Sequence, residues 1–127
     1  MKTPQKSTLS TRAKVEQICA WLEEKKAREL VALDLTSIKE INFITDAIIV
    51  AGASSARHAQ GLADFVLEQA KIANYEFFQM EGYKNGFWIL LDFNDIILNI
   101  FQDEQRELYR LEDLYPGAIV LRDDRHK

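Results

Sequence analysis

A chain of 127 residues, 47% hydrophobic and 28% charged, is enough for one water-soluble domain with its own core and too short for several. Its formal net charge of −4 argues against broad binding to nucleic-acid backbones, which depends on clustered Lys and Arg releasing counterions. No apolar run approaches the about 18 residues that a membrane span needs, and Cys19, the lone cysteine, rules out a disulfide framework and points to a reducing compartment such as the cytoplasm.

The elements follow in chain order. Residues 1–11 carry Lys2 and Lys6 among Ser and Thr and read as a tail. Val15, Ile18, Cys19 and Leu22 recur at helical spacing, which predicts a first helix from Thr11 to Arg28 with one apolar stripe and Cys19 as a packing residue. Leu30 to Leu35 is a short apolar run broken by Asp34 and reads as a strand; Thr36 to Thr45 reads as a loop. Ala47 to Ala51, with Ile48, Ile49 and Val50, has the continuous apolar character of a strand buried on both faces. Gly52 is expected to let the backbone turn, and Ser54 or Ser55 to cap the helix that follows. Ala59, Leu62, Ala63, Val66 and Ala70 line one face of that helix, which closes near Asn74.

Tyr75 to Met80 reads as an edge strand. Phe87 to Phe93 and Ile96 to Phe101 are two apolar strands joined at Asn94 and Asp95, a pair suited to the positive φ of a tight hairpin turn. Asp103 can cap a last helix bearing Leu108, Leu111 and Leu114 and stopped by Pro116 and Gly117; Leu121 to Lys127 reads as a charged tail. The order is αββαβββα: a single α/β (α+β) domain over residues 12–116, with a mixed sheet of about five strands flanked by helices and with tails at 1–11 and 117–127.

Candidate chemistry is sparse. Gly52, Ser54 and Ala56 sit where a nucleophile elbow would, but His58 lies inside the same helix start and His126 in the tail, so no triad forms. Neither a P-loop nor a dinucleotide fingerprint is present. Asp34, Asp46, Asp92 and Asp95 are the carboxylates that a metal site would have to use, although Asp92 and Asp95 bracket a turn, where Asp is common for conformational reasons. Alternation along the strand puts Trp88, Leu90 and Asp92 on one face and Phe87, Ile89, Leu91 and Phe93 on the other. Trp88 beside an acid at a sheet surface is a candidate interface anchor, and Tyr109, one position off the leucine stripe of the last helix, is another.

The pattern G-x-S-x-x-R-H over Gly52, Ser54, Arg57 and His58, then Leu62, Ala63 and Asp64, and W-x-x-x-D-x-x-D over Trp88, Asp92 and Asp95, resembles the Iojap family of ribosomal silencing factors. Leu33, Asp34, Thr45, Asp46, Glu81, Gly82, Arg106, Tyr109, Leu111, Glu112 and Leu114 extend the match over roughly Val15 to Tyr115. The resemblance implies a nucleotidyltransferase-like fold without the catalytic motif, no enzymatic activity and no cofactor. It further implies docking on the fourteenth protein of the large ribosomal subunit, so that subunits cannot join and translation falls under nutrient shortage. Trp88, Phe93, Asp92, Arg106 and Tyr109 are the partner-binding residues it suggests; no direct nucleic-acid or membrane contact is expected, and a homodimer is one of the states left open. Ala47, Asn94, Asn99 and Tyr115 depart from the family's pattern, Asn99 standing where the family usually has His. The alternative reading is a divergent metal-dependent nucleotidyltransferase-like enzyme using the four aspartates.

Overall fold

The structure, a computed structural model, describes residues 8–38, 45–103, 105–106 and 114–125. Helix α1 spans Thr11–Glu24: Ser10 caps it by accepting from the Ala13 amide at 3.2 Å, and Val15, Ile18, Cys19 and Leu22 form its buried stripe. It ends before the expected Arg28 because Lys26 turns left-handed (φ 64°), and the Ala27 amide reaches back to the Leu22 carbonyl at 3.0 Å. The chain then enters β1 (Arg28–Asp34), antiparallel to β2 (Ala47–Ala53). All seven residues of β2 are buried, as the continuous apolar run requires.

Gly52 does not make the turn. It lies inside β2, and what it supplies is closeness: a Cβ there would stand 3.1 Å from the Arg28 carbonyl oxygen of the neighbouring strand. The turn comes one step later, where Ser55 caps α2 (Ala56–Ile72) by accepting from the His58 amide at 3.0 Å. Helix α2 buries Ala59, Leu62, Ala63, Val66 and Ala70 and closes at Asn74 (φ 61°), with the Tyr75 amide bound to the Ala70 carbonyl.

Three strands complete the middle of the chain: β3 (Gln79–Glu81), shorter than the Tyr75–Met80 expected, β4 (Trp88–Asp92) and β5 (Ile96–Gln102). The β4–β5 hairpin turns at Asn94 (φ 75°), with the Phe93 amide on the Ile96 carbonyl and the Asp92 carboxylate taking the Asn94 amide at 2.8 Å. β2 and β5 run parallel, joined through α2 and the β3–β4 hairpin.

The sheet holds six strands in the order β3-β4-β5-β2-β1-β6, one more than expected. The sixth, β6 (Ile119–Asp123), pairs antiparallel with β1 and corrects the reading of residues 117–127 as a charged tail. Its apolar residues Ile119, Val120 and Leu121 run straight into charged ones, and on an edge strand backbone pairing, not burial, defines the element. Of the expected last helix, Asp103, Gln105 and Arg106 are helical; Leu108, Tyr109 and Leu111 lie outside the described residues, as does most of the expected loop before Thr45.

Both α1 and α2 pack on one face of the sheet, over a core that includes Ala32, Ile49, Ile89, Leu91, Phe93, Leu98 and Ile100. The opposite face carries a second cluster, Val31, Leu33, Leu35, Ile48, Val50 and Phe101, with Trp88, Ile97, Tyr115 and Ala118 packed against it. That division, α1 and α2 on one side and Trp88 on the other, frames the candidate site.

Candidate functional site: the sheet face around Trp88

Tight pairing at the hairpin fixes the register: Asp92 opposes Ile97, Leu90 opposes Asn99 and Trp88 opposes Phe101. Residues directly opposite share a face, so Trp88, Leu90, Ile97, Asn99 and Phe101 form one patch on the side opposite α1 and α2. The Trp88 ring stacks on Phe101 with centroids 4.9 Å apart and planes 28° from parallel, and its Nε1–H donates to Asn99 Oδ1 at 3.0 Å. Trp88, Leu90 and Ile97 remain partly exposed, whereas Asn99 and Phe101 on the same face are buried. β3 extends the patch: Glu81 opposes Leu90 and Gln79 opposes Asp92, and both are exposed. An apolar centre with Glu81 and Asp92 at its margin can meet a surface that offers an apolar knob among cations.

Phe93 does not belong to this patch. It is 2% exposed on the helix side, its ring 5.6 Å from that of Phe77, so the expectation that it shares a partner surface with Trp88 is corrected: no bulge interrupts β4, and alternation carries the two rings to opposite faces. Arg106 is likewise drawn inside, 6% exposed, with Nη1 donating to the Arg28 carbonyl at 3.3 Å. Tyr109 lies outside the described residues. Ile97, Asn99 and Phe101 are candidate-site residues that the sequence reading does not single out, although the Asn94 turn fixes the register that brings all three onto the face of Trp88 and Leu90.

The motif residues Ser54, Ser55 and His58 form a structural knot. His58 Nδ1 accepts from the Ser54 amide at 3.0 Å, which leaves the ring proton on Nε2 to donate to the Lys25 carbonyl at 2.8 Å and so tie the end of α1 to the start of α2. Ser54 Oγ also lies 3.1 Å from Nδ1, but the ring is oriented by a main-chain carbonyl and its acceptor nitrogen is already engaged by an amide, which is not how a general base is prepared.

The four aspartates stay apart in role. Asp34 accepts from the Thr36 amide at 2.8 Å and from its hydroxyl at 2.6 Å, bonds that hold its carboxyl below the usual carboxylate pKa. Asp95 receives Lys14 Nζ at 3.1 Å and the Thr11 hydroxyl at 3.0 Å, while its carbonyl accepts the Asp46 and Ala47 amides. Among the described residues no group of three or more His, Cys, Asp or Glu is arranged to hold a metal ion. Burial pushes the Cys19 thiol up to about 11, partly offset by Arg122, so it is a packing group and a poor nucleophile. Among the described residues no helix is long and apolar enough to cross a membrane.

Asp95 thus latches α1 to the hairpin that carries Trp88. Its carboxylate is 22% exposed and Lys14 13%, so the pair is partly shielded from water. Asp95→Ala is expected to cost about 1–2 kcal/mol of stability, less than a fully buried pair because solvent still reaches it. Chemical denaturation measures this, and an unchanged midpoint would show that the latch carries no energy.

Comparison with known proteins shows what the chain is similar to. The family model described as "ribosomal silencing factor during starvation" matches residues 8–127. The chain is similar to proteins named ribosomal silencing factor RsfS: one of Haemophilus influenzae, 32% identical over 103 residues that cover 81% of this chain and 98% of that protein, and one of Halalkalibacterium halodurans, 30% identical over 97 residues that cover 76% and 80%. A more distant mouse relative, 21% identical over 104 residues covering 80% of this chain and 44% of that protein, is named mitochondrial assembly of ribosomal large subunit protein 1. A crystal structure of a Chromobacterium violaceum protein superposes with a TM-score of 0.79 at 25% identity, covering 86% of this chain and 88% of that one.

Proposed function

The chain belongs to the ribosomal silencing factor family, and on that footing we propose that it binds the large ribosomal subunit with the Trp88 face of its sheet and blocks subunit joining. The observation that carries the reading is the patch itself. A partly exposed Trp stands on the face of the sheet opposite α1 and α2, with Leu90 and Ile97 on the same face and acids at the margin. Aromatic anchors of this kind dominate binding energy at protein interfaces.

The partner is a basic protein of the large subunit, the fourteenth of the standard series, met where the small subunit would otherwise dock. The net charge of −4 favours a basic partner and helps steer the encounter. The large-subunit name of the mouse relative supports the choice of subunit. Repression is steric and needs no turnover: Ser54, His58, Asp34, Asp92 and Asp95 are engaged in holding the fold together, which favours a binding protein over a nucleotidyltransferase-like enzyme.

The test is subunit joining. Purified large subunits preincubated with the protein and then mixed with small subunits should yield fewer joined ribosomes on a sucrose gradient, in proportion to the protein added. Undiminished joining at saturating protein would defeat the proposal.

A further inference from the structure

Asn99 is an anomaly in its own strand. It sits mid-way along β5 between Ile97 and Phe101, 2% exposed, in a type of site where Asn is depleted and where a buried amide is costly unless its hydrogen bonds are met. The structure gives it one evident use. The indole Nε1–H of Trp88 can only donate, so the amide turns its oxygen towards that group, at 3.0 Å. The stack on Phe101 and this hydrogen bond constrain different motions of the ring. The stack holds the indole plane close to that of the Phe101 ring, and the hydrogen bond stops it from swivelling within that plane.

We propose that Asn99 is a positioning residue: by fixing the Trp88 indole in place against Phe101, it presents the ring to the partner already ordered. The inference rests on the reading of the Trp88 face as the docking surface. A mobile Trp would have to be immobilised on docking, at a cost to affinity; here that ordering is complete in the free protein. The acceptor is the essential property, so any residue at position 99 that offers one to Nε1 should serve, a His nitrogen included.

The experiment uses Asn99→Leu, which keeps the volume and removes the acceptor, and Asn99→His, which keeps an acceptor. Trp21, on the helix side against Tyr75, is replaced by Phe throughout so that emission reports Trp88 alone. Far-UV circular dichroism establishes the folded fraction, to which binding is normalised. Expected for Asn99→Leu is stronger acrylamide quenching of Trp88 and about tenfold weaker binding to large subunits; Asn99→His should restore both. Unchanged affinity in Asn99→Leu, or weaker binding with unchanged quenching, overturns the proposal, as does failure of His to rescue either readout. Trp88→Ala run in parallel separates the two readings. If it leaves affinity intact, the docking face itself is wrong and the positioning role falls with it. If it weakens binding while Asn99→Leu does not, only the positioning role is wrong.

Discussion

Phe93→Ala is expected to lower the free energy of unfolding by about 3–5 kcal/mol, the range for removing a large aromatic from a packed core. Phe93 is 2% exposed, among the largest fully buried side chains, and packs under the helices with Phe77 beside it. For a domain of this size the melting temperature should fall by roughly 10–20 °C. The fraction that remains folded should bind large subunits as the unaltered protein does, because the ring points away from the Trp88 face. A denaturation midpoint near that of the unaltered protein would show that Phe93 is not a core residue.

Trp88→Ala should behave in the opposite way. Large-subunit binding should weaken by about 2 kcal/mol or more, on the order of thirtyfold, as expected for truncating an aromatic hot spot. Stability should fall by only about 1–2 kcal/mol, because the ring is partly exposed already, and because water reaches the Asn99 amide once the indole is gone. Sequence alternation alone suggests almost no loss of stability; the stack on Phe101 raises that figure. Equilibrium binding well below both melting temperatures, set beside denaturant titrations, separates the two quantities. A large stability loss with normal binding by the folded fraction would put the docking surface elsewhere.

These two residues also mark how far the sequence carries. The stripes of α1 and α2 and the all-buried β2 were legible because each is a local period in the chain. The turn at Asn94 was legible for the same reason, and it already implies the register that stacks Trp88 on Phe101. Reading the motif from Trp88 to Asp95 as one unit puts Phe93 on the partner surface, whereas strand alternation alone puts it on the opposite face, where the structure has it. β6 was hidden because its partner, β1, is distant in sequence and its own residues lack alternation. Gly52 was misread because a turn and a close strand approach both call for glycine, and only the proximity of the Arg28 carbonyl tells them apart. Asn99 was seen only as a departure from the family's His, since its bond to Trp88 requires the two strands to be paired first.

The most direct test of the central claim is co-sedimentation of the protein with purified large and small ribosomal subunits taken separately, with Trp88→Ala alongside. Saturable pelleting with large subunits, none with small ones, and loss of that pelleting in Trp88→Ala is the predicted result. Equal pelleting with both subunits, or undiminished pelleting of folded Trp88→Ala with the large one, would contradict it.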